Sequence, residues 1–103
     1  MTVALTGASG PLGRATVAFL LRAVDPTDVV VTTRHPDSVA DLAALGVGVR
    51  YADFDQPHTL VDAFAGVDRL LLISTDAVGA RLHQHRAAIA AAAAAGVRHL
   101  VYT

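Results

Sequence analysis

With 103 residues the chain has room for one domain with a real core and little more. A net charge of -1 without any dense basic run argues against nucleic acid as the main partner, and the lack of cysteine excludes disulfides, thiolate metal sites and a cysteine nucleophile. No basic region followed by an apolar core opens the chain, and its longest alanine-rich run, Ala87 to Ala95, is far short of the roughly 20 residues of a membrane span. A cytoplasmic protein is the expectation.

Thr2 to Thr6 reads as a strand, continuously apolar at its centre as a strand covered on both faces should be. Three glycines follow at a three-residue spacing, and Pro11 stands where the first helical position would be, where its missing N–H costs nothing. Leu12, Ala15 and Phe19 then recur at i, i+3 and i+7, which predicts a buried stripe on a helix closed by Asp25-Pro26. Val29 to Thr33 is a second, β-branched strand. A helix opened by His35-Pro36-Asp37-Ser38 should face Leu42 and Leu45 inward and stop at Gly46.

Val49 to Ala52 make a third strand, and Pro57 starts a helix through Leu60, Ala63 and Phe64 that closes at Gly66. Arg69 to Ser74, with Leu-Leu-Leu-Ile at its centre, is the most hydrophobic strand and the expected middle of the sheet. Ala80 to Ala95 form the longest helix, Gly96 closes it, and His99 to Thr103 are a fifth strand. Three helices thus end in Gly-Val. Alternation with short connections predicts an α/β fold of the Rossmann type: a doubly wound parallel sheet of five strands in the order 3-2-1-4-5, with helices on both faces. Its ligand crevice should open where the order reverses, between the first and fourth strands.

The chemistry concentrates at that crevice. In Gly7-x-x-Gly10-x-x-Gly13, Gly7 permits a tight turn, Gly10 lets the backbone approach a pyrophosphate, and Gly13 lets the helix pack closely on the strand. The next helix aims unpaired N–H groups and roughly half a positive charge at the same place. A ligandless glycine turn is the bland alternative, disfavoured by the strand–turn–helix context. At the end of the second strand an NAD site places a carboxylate, whereas this chain has Thr32-Thr33-Arg34-His35. Arg34 offers a planar fork to a 2′-phosphate, so NADP(H) is expected over NAD(H), against the alternative of a solvated arginine.

Asp53 and Phe54 follow the third strand where an adenine would lie, although an Asx-type turn before Pro57 explains Asp53 equally well. Ser74 and Thr75 are placed to touch the nicotinamide ribose, or merely to cap the next segment of chain. Ser74 has no glycine elbow, which disfavours hydrolase chemistry. The five histidines form no metal constellation, and Gln84 and His85 read as surface or helix-packing residues before crevice residues. No residue stands out as catalytic.

Assembled, the chain resembles the amino-terminal part of an atypical short-chain dehydrogenase/reductase, and more narrowly the NmrA-like NAD(P)H:quinone oxidoreductases. The likeness rests on Leu5-Thr-Gly-Ala-Ser-Gly-Pro-Leu-Gly13, Thr33-Arg-His-Pro36, Tyr51-Ala-Asp-Phe54, Leu70-Leu-Leu-Ile-Ser74, Gln84-His-Arg86, Ala95-Gly-Val-Arg98 and Val101-Tyr-Thr103. It implies Gly7, Ser9, Gly10, Pro11 and Leu12 around the pyrophosphate, Arg34 on the 2′-phosphate, Asp53 and Phe54 at the adenine, and Ser74 and Thr75 toward the nicotinamide. It further implies hydride transfer from NADPH to a quinone-like acceptor.

The Tyr-x-x-x-Lys pair of many short-chain dehydrogenases is absent, since the chain has no lysine. Family members continue past a fifth strand, so residues 1–103 are expected to be the dinucleotide-binding part of a longer architecture. An apolar edge at His99 to Thr103 would otherwise favour an oligomer. The rival readings are a regulator that senses NADP without turnover and an inactive fragment.

Overall fold

The computed structural model describes residues 1–73 and 81–102. Five parallel strands, β1 (Val3–Thr6), β2 (Val29–Thr33), β3 (Gly48–Tyr51), β4 (Arg69–Leu72) and β5 (His99–Tyr102), form one sheet in the order β3-β2-β1-β4-β5. Between them run α1 (Pro11–Leu20), α2 (Ala40–Ala44), α3 (Pro57–Ala63) and α4 (Arg81–Ala95), with single 3₁₀ turns at Pro26–Asp28 and Pro36–Val39. This is the expected doubly wound, Rossmann-type topology. The centre of the sheet is β1, however, and not β4. The Leu-Leu-Leu-Ile run reflects a strand covered on both faces, a property β4 has while lying between β1 and β5.

Strand alternation divides the core in two. Ala4, Val30, Leu70 and Leu72 point to one face, where they meet Leu60, Ala63 and Phe64 of the α3 segment and Ala88, Ala91 and Ala92 of α4. Leu5, Val29, Val31 and Ile73 point to the other, toward Val17 of α1 and Val39, Leu42 and Val47 around α2. The alanine spacing on α4 lets that helix approach α3 closely around the fully buried Phe64.

The Gly-Val stops are helix terminators in the structure. Gly46, Gly66 and Gly96 have φ of 101°, 75° and 82°, a region open to glycine without a Cβ penalty. At two of them the valine N–H reaches back five residues, from Val47 to the Leu42 carbonyl and from Val97 to that of Ala92. The outer strand β3 is tied to α3 by Arg50, whose Nη1 donates to the carbonyls of Ala63 and Ala65 at 2.8 and 2.7 Å. A cation at those orphan carbonyls also complements the helix dipole.

Two expected inward faces are corrected. On α1, Leu12 and Phe19 are 57% and 73% exposed and Ala15 is exposed; Gly13 and Val17 are the buried positions. Gly13 decides this: a Cβ there would lie 2.0 Å from the Gly7 oxygen and 2.8 Å from the Ala8 Cα, so this bare side of the helix is the one packed on the turn. Leu12 is then about 100° round the helix axis and the remainder of the stripe follows it outward. The exposed Phe19 ring is covered by the Arg22 guanidinium, 5.9 Å from its centroid. On α2, Leu42 is buried but Leu45 is 59% exposed, because the five-residue helix ends there and the turn brings Val47 onto Leu42 instead.

Candidate functional site

Ladder pairing between β1 and β4 stops at Leu5 and Leu71, one residue short of the end of β1. Beyond it the Thr6 hydroxyl does the bridging, donating to the Ile73 carbonyl at 3.2 Å and accepting from its N–H at 2.9 Å. The strands part here, at the carboxyl edge where the strand order reverses. A cleft of about 500 Å³ opens over this point.

Each glycine of the turn has a distinct local reason. Gly7 has φ of 70°, and its carbonyl accepts from the Gly10 N–H at 3.1 Å, closing the turn. A Cβ on Gly13 would sit 2.0 Å from the Gly7 oxygen, so no side chain fits. Gly10 differs: its φ is -83°, and a Cβ would make only an ordinary 3.5 Å contact with Gly7. The fold itself does not require glycine at that position. Gly10 also lines the cleft. Among the described residues no side chain caps the α1 terminus at Gly10, and the N–H groups of Leu12 and Gly13 have no partner within the helix.

Of the residues singled out by sequence, the structure brings Gly7, Ser9, Gly10, Pro11, Leu12, Gly13, Arg34, Asp53 and Phe54 to the walls of this one cleft. Ser74 and Thr75 lie outside the described residues. Arg34 stands exposed at the end of β2, and Thr33 beneath it accepts the His35 N–H on its hydroxyl at 3.0 Å. Asp53 makes the Asx turn expected before Pro57, its Oδ1 accepting from Asp55 N–H at 2.9 Å, and it lines the cleft as well. The two readings are compatible. Thr59 fixes this corner, its hydroxyl accepting from the Asp53 N–H at 2.9 Å.

Sequence reasoning undervalued Gln84. It is 7% exposed and forms part of the cleft wall, and the neighbouring His85 is buried too. The signal was available in the helical phase: Gln84 lies four residues before Ala88, on the same face as Ala91, Ala92 and Ala95. His35, Asp55 and Ile73 are further lining residues not anticipated; they flank expected positions along the chain.

Residues 7–103 match the NAD(P)H-binding family. The chain belongs to that family. It is 44% identical to Quinone oxidoreductase 2 of Escherichia coli strain K12 over 98% of this chain and 35% of the relative. An NmrA-like family domain-containing oxidoreductase of Aspergillus flavus is 33% identical over all of this chain and 35% of its own. Among solved structures, an NADPH-dependent quinone oxidoreductase from Escherichia coli complexed with NADPH matches with a TM-score of 0.95 at 42% identity, over 98% of this chain and 36% of that one. The chain is therefore an NAD(P)H-binding, Rossmann-type domain related to the NmrA-like and quinone oxidoreductases. It spans about a third of the length of these relatives.

Proposed function

We propose that the chain holds NADP(H), in preference to NAD(H), for an oxidoreductase that passes a hydride to a quinone-like acceptor. The supporting observation is that one cleft gathers the glycine turn, an exposed arginine at the end of β2 and the Asp53–Phe54 corner, while the β2 terminus carries no carboxylate. Gly7, Ser9, Gly10, Pro11, Leu12 and Gly13 would cradle the pyrophosphate at the α1 terminus. Arg34 would take the 2′-phosphate with its guanidinium fork, and Asp53 and Phe54 would meet the adenine. Ser74 and Thr75 are assigned toward the nicotinamide. The bound dinucleotide would supply the hydride, and the chain's own contribution would be to place it and keep its phosphates fixed. The acceptor class is carried over from the quinone oxidoreductase relatives.

The test mixes purified protein with NADPH and a panel of quinones while following absorbance of the reduced nicotinamide, and measures NADPH and NADH affinities in parallel. Quinone-dependent oxidation is expected. Tight NADPH binding without oxidation would favour the dinucleotide-sensing regulator instead. For the site, Arg34→Ala should weaken NADPH about tenfold or more, because charge-assisted hydrogen bonds of roughly 1.5–3 kcal/mol are lost, and should leave NADH nearly unchanged. An unchanged NADPH-to-NADH ratio would remove the assignment of Arg34 and the preference for NADP(H).

A further inference from the structure

Arg34 is carried by a segment that is pinned on both sides, and the second pin comes from a residue outside the cleft. On the strand side, Thr33 Oγ1 accepts the His35 N–H at 3.0 Å and lies 3.5 Å from Ser9 Oγ of the glycine turn. On the helix side, the His35 carbonyl accepts from both the N–H and the hydroxyl of Ser38, at 3.0 and 2.7 Å. The Ser38 carbonyl in turn accepts from Arg14 Nη2. The same guanidinium holds Asp41, with Nη1 3.1 Å from Oδ2 and Nη2 3.4 Å from Oδ1. Arg14 belongs to α1 one residue past Gly13, and its own N–H donates to the Gly10 carbonyl at 3.0 Å. The polar contacts thus form a ring from the glycine turn through the β2 terminus and Ser38 and back to α1.

We infer that Arg14 is a positioning residue for dinucleotide selectivity: its guanidinium fork fixes the Arg34-bearing loop against the helix whose amino terminus faces the cleft. The inference rests on the NADP(H) reading of the cleft. A ligand with a pyrophosphate and a 2′-phosphate must satisfy two anion sites at once, and its affinity rises when their separation is set before binding. A ligand without the 2′-phosphate does not use Arg34 and gains nothing from that loop being held. The fork geometry matters because one flat group presents two rigidly spaced nitrogens to a backbone carbonyl and both oxygens of a carboxylate, a geometry that the single nitrogen of an ammonium does not reproduce. Hydrogen bonding from Arg14 also holds the Asp41 carboxyl below its ordinary 3.8, so this partner of the guanidinium is ionised throughout the neutral range.

The experiment measures NADPH and NADH dissociation constants by nicotinamide fluorescence on the full chain in five forms: wild type, Arg14→Ala, Arg14→Lys, Asp41→Asn and Arg34→Ala. Arg14→Ala should weaken NADPH about fivefold and NADH by less than about twofold. Arg14→Lys should match Arg14→Ala although it keeps the charge. Wild-type affinity in Arg14→Lys would show that charge alone matters and overturn positioning, as would equal losses for both dinucleotides.

Asp41→Asn gives an independent sign. It removes a negative charge from the side of the loop that Arg14 holds, so simple electrostatics predicts NADPH binding unchanged or tighter, whereas a loosened loop predicts weaker binding. Unchanged or tighter binding overturns the inference even if the Arg14 variants do not fold. Arg34→Ala separates the two levels: if it leaves the NADPH-to-NADH ratio intact, the NADP(H) reading itself fails; if it lowers that ratio while Arg14→Ala does not, only the role of Arg14 fails.

Discussion

The two ends of the parallel sheet are built on opposite plans. At the amino end, Asp68 closes three strands together. Its Oδ2 accepts the Thr2 N–H at 2.8 Å, its own N–H donates to the Thr2 carbonyl at 2.9 Å, and its carbonyl accepts from Arg98 and His99 at 2.9 and 3.2 Å. At the carboxyl end, β1 and β4 separate after Leu5 and Leu71, a single threonine hydroxyl bridges the gap, and a cleft opens. Strand pairing stabilises the sheet only while it continues, and a binding site in such a sheet begins where pairing is given up. Residues at the amino end should therefore answer to stability, while those at the carboxyl end divide between stability and binding.

Gly13, on the boundary between the two roles, should be the most sensitive position. Gly13→Ala would place a Cβ 2.0 Å from the Gly7 oxygen and 2.8 Å from the Ala8 Cα, both backbone atoms with no rotamer to change. Either α1 lifts from the sheet or the glycine turn opens. Overpacking of this kind costs about 3 kcal/mol or more, visible as a drop in melting temperature of roughly 12 °C or more, and dinucleotide binding should be lost with it. A variant that melts like the wild type would show that the turn is not held by this contact.

Asp68→Ala tests the amino end by itself. It leaves the backbone bonds of Asp68 in place and removes only the carboxylate that receives the Thr2 N–H. With that group partly exposed, about 1 kcal/mol of stability should go, or roughly 5 °C in melting temperature. NADPH affinity should stay within about twofold, since the change lies at the opposite end of the sheet from the cleft. A large loss of affinity at unchanged stability would break the division of roles between the ends.

Much of this architecture was legible in the chain because its signals are local. Strand–helix alternation fixes a parallel sheet, Gly-Val pairs mark helix ends, and the three glycines mark the turn, each readable within a few residues. The misreadings concern how an element sits against its neighbours, which a periodicity does not encode. A period of i, i+3, i+7 shows that Leu12, Ala15 and Phe19 share a side of α1, but not which side meets the sheet; that was set by Gly13 against Gly7. Leu45 followed the same period past the point where α2 stops. Hydrophobicity marked β4 as covered on both faces, which β1 and β2 are as well, so it could not rank them across the sheet. Gln84 was undervalued because a polar side chain on an alanine-rich helix reads as solvated until the buried phase of that helix is traced back to the cleft.

The smallest expected change in stability belongs to Gly10→Ala, and it is the most informative about the site. Gly10 precedes α1 with φ of -83° and ψ of 166°, a conformation alanine adopts freely, and the added Cβ would lie 3.5 Å from the Gly7 oxygen, an ordinary contact. Replacing glycine narrows the unfolded ensemble and stabilises by about 0.4–1 kcal/mol, while alanine is a poorer residue than glycine at a helix N-cap and takes back a similar amount. The melting temperature should therefore move by no more than about 3 °C in either direction. NADPH and NADH affinities should both fall, by about tenfold or more, because the methyl group occupies the space through which the pyrophosphate reaches the backbone. Gly13→Ala would lose binding by losing the turn; Gly10→Ala should lose it with the turn intact. Retained affinity in a stable Gly10→Ala would mean that no phosphate approaches this point, and the glycine would then have neither a folding nor a binding reason.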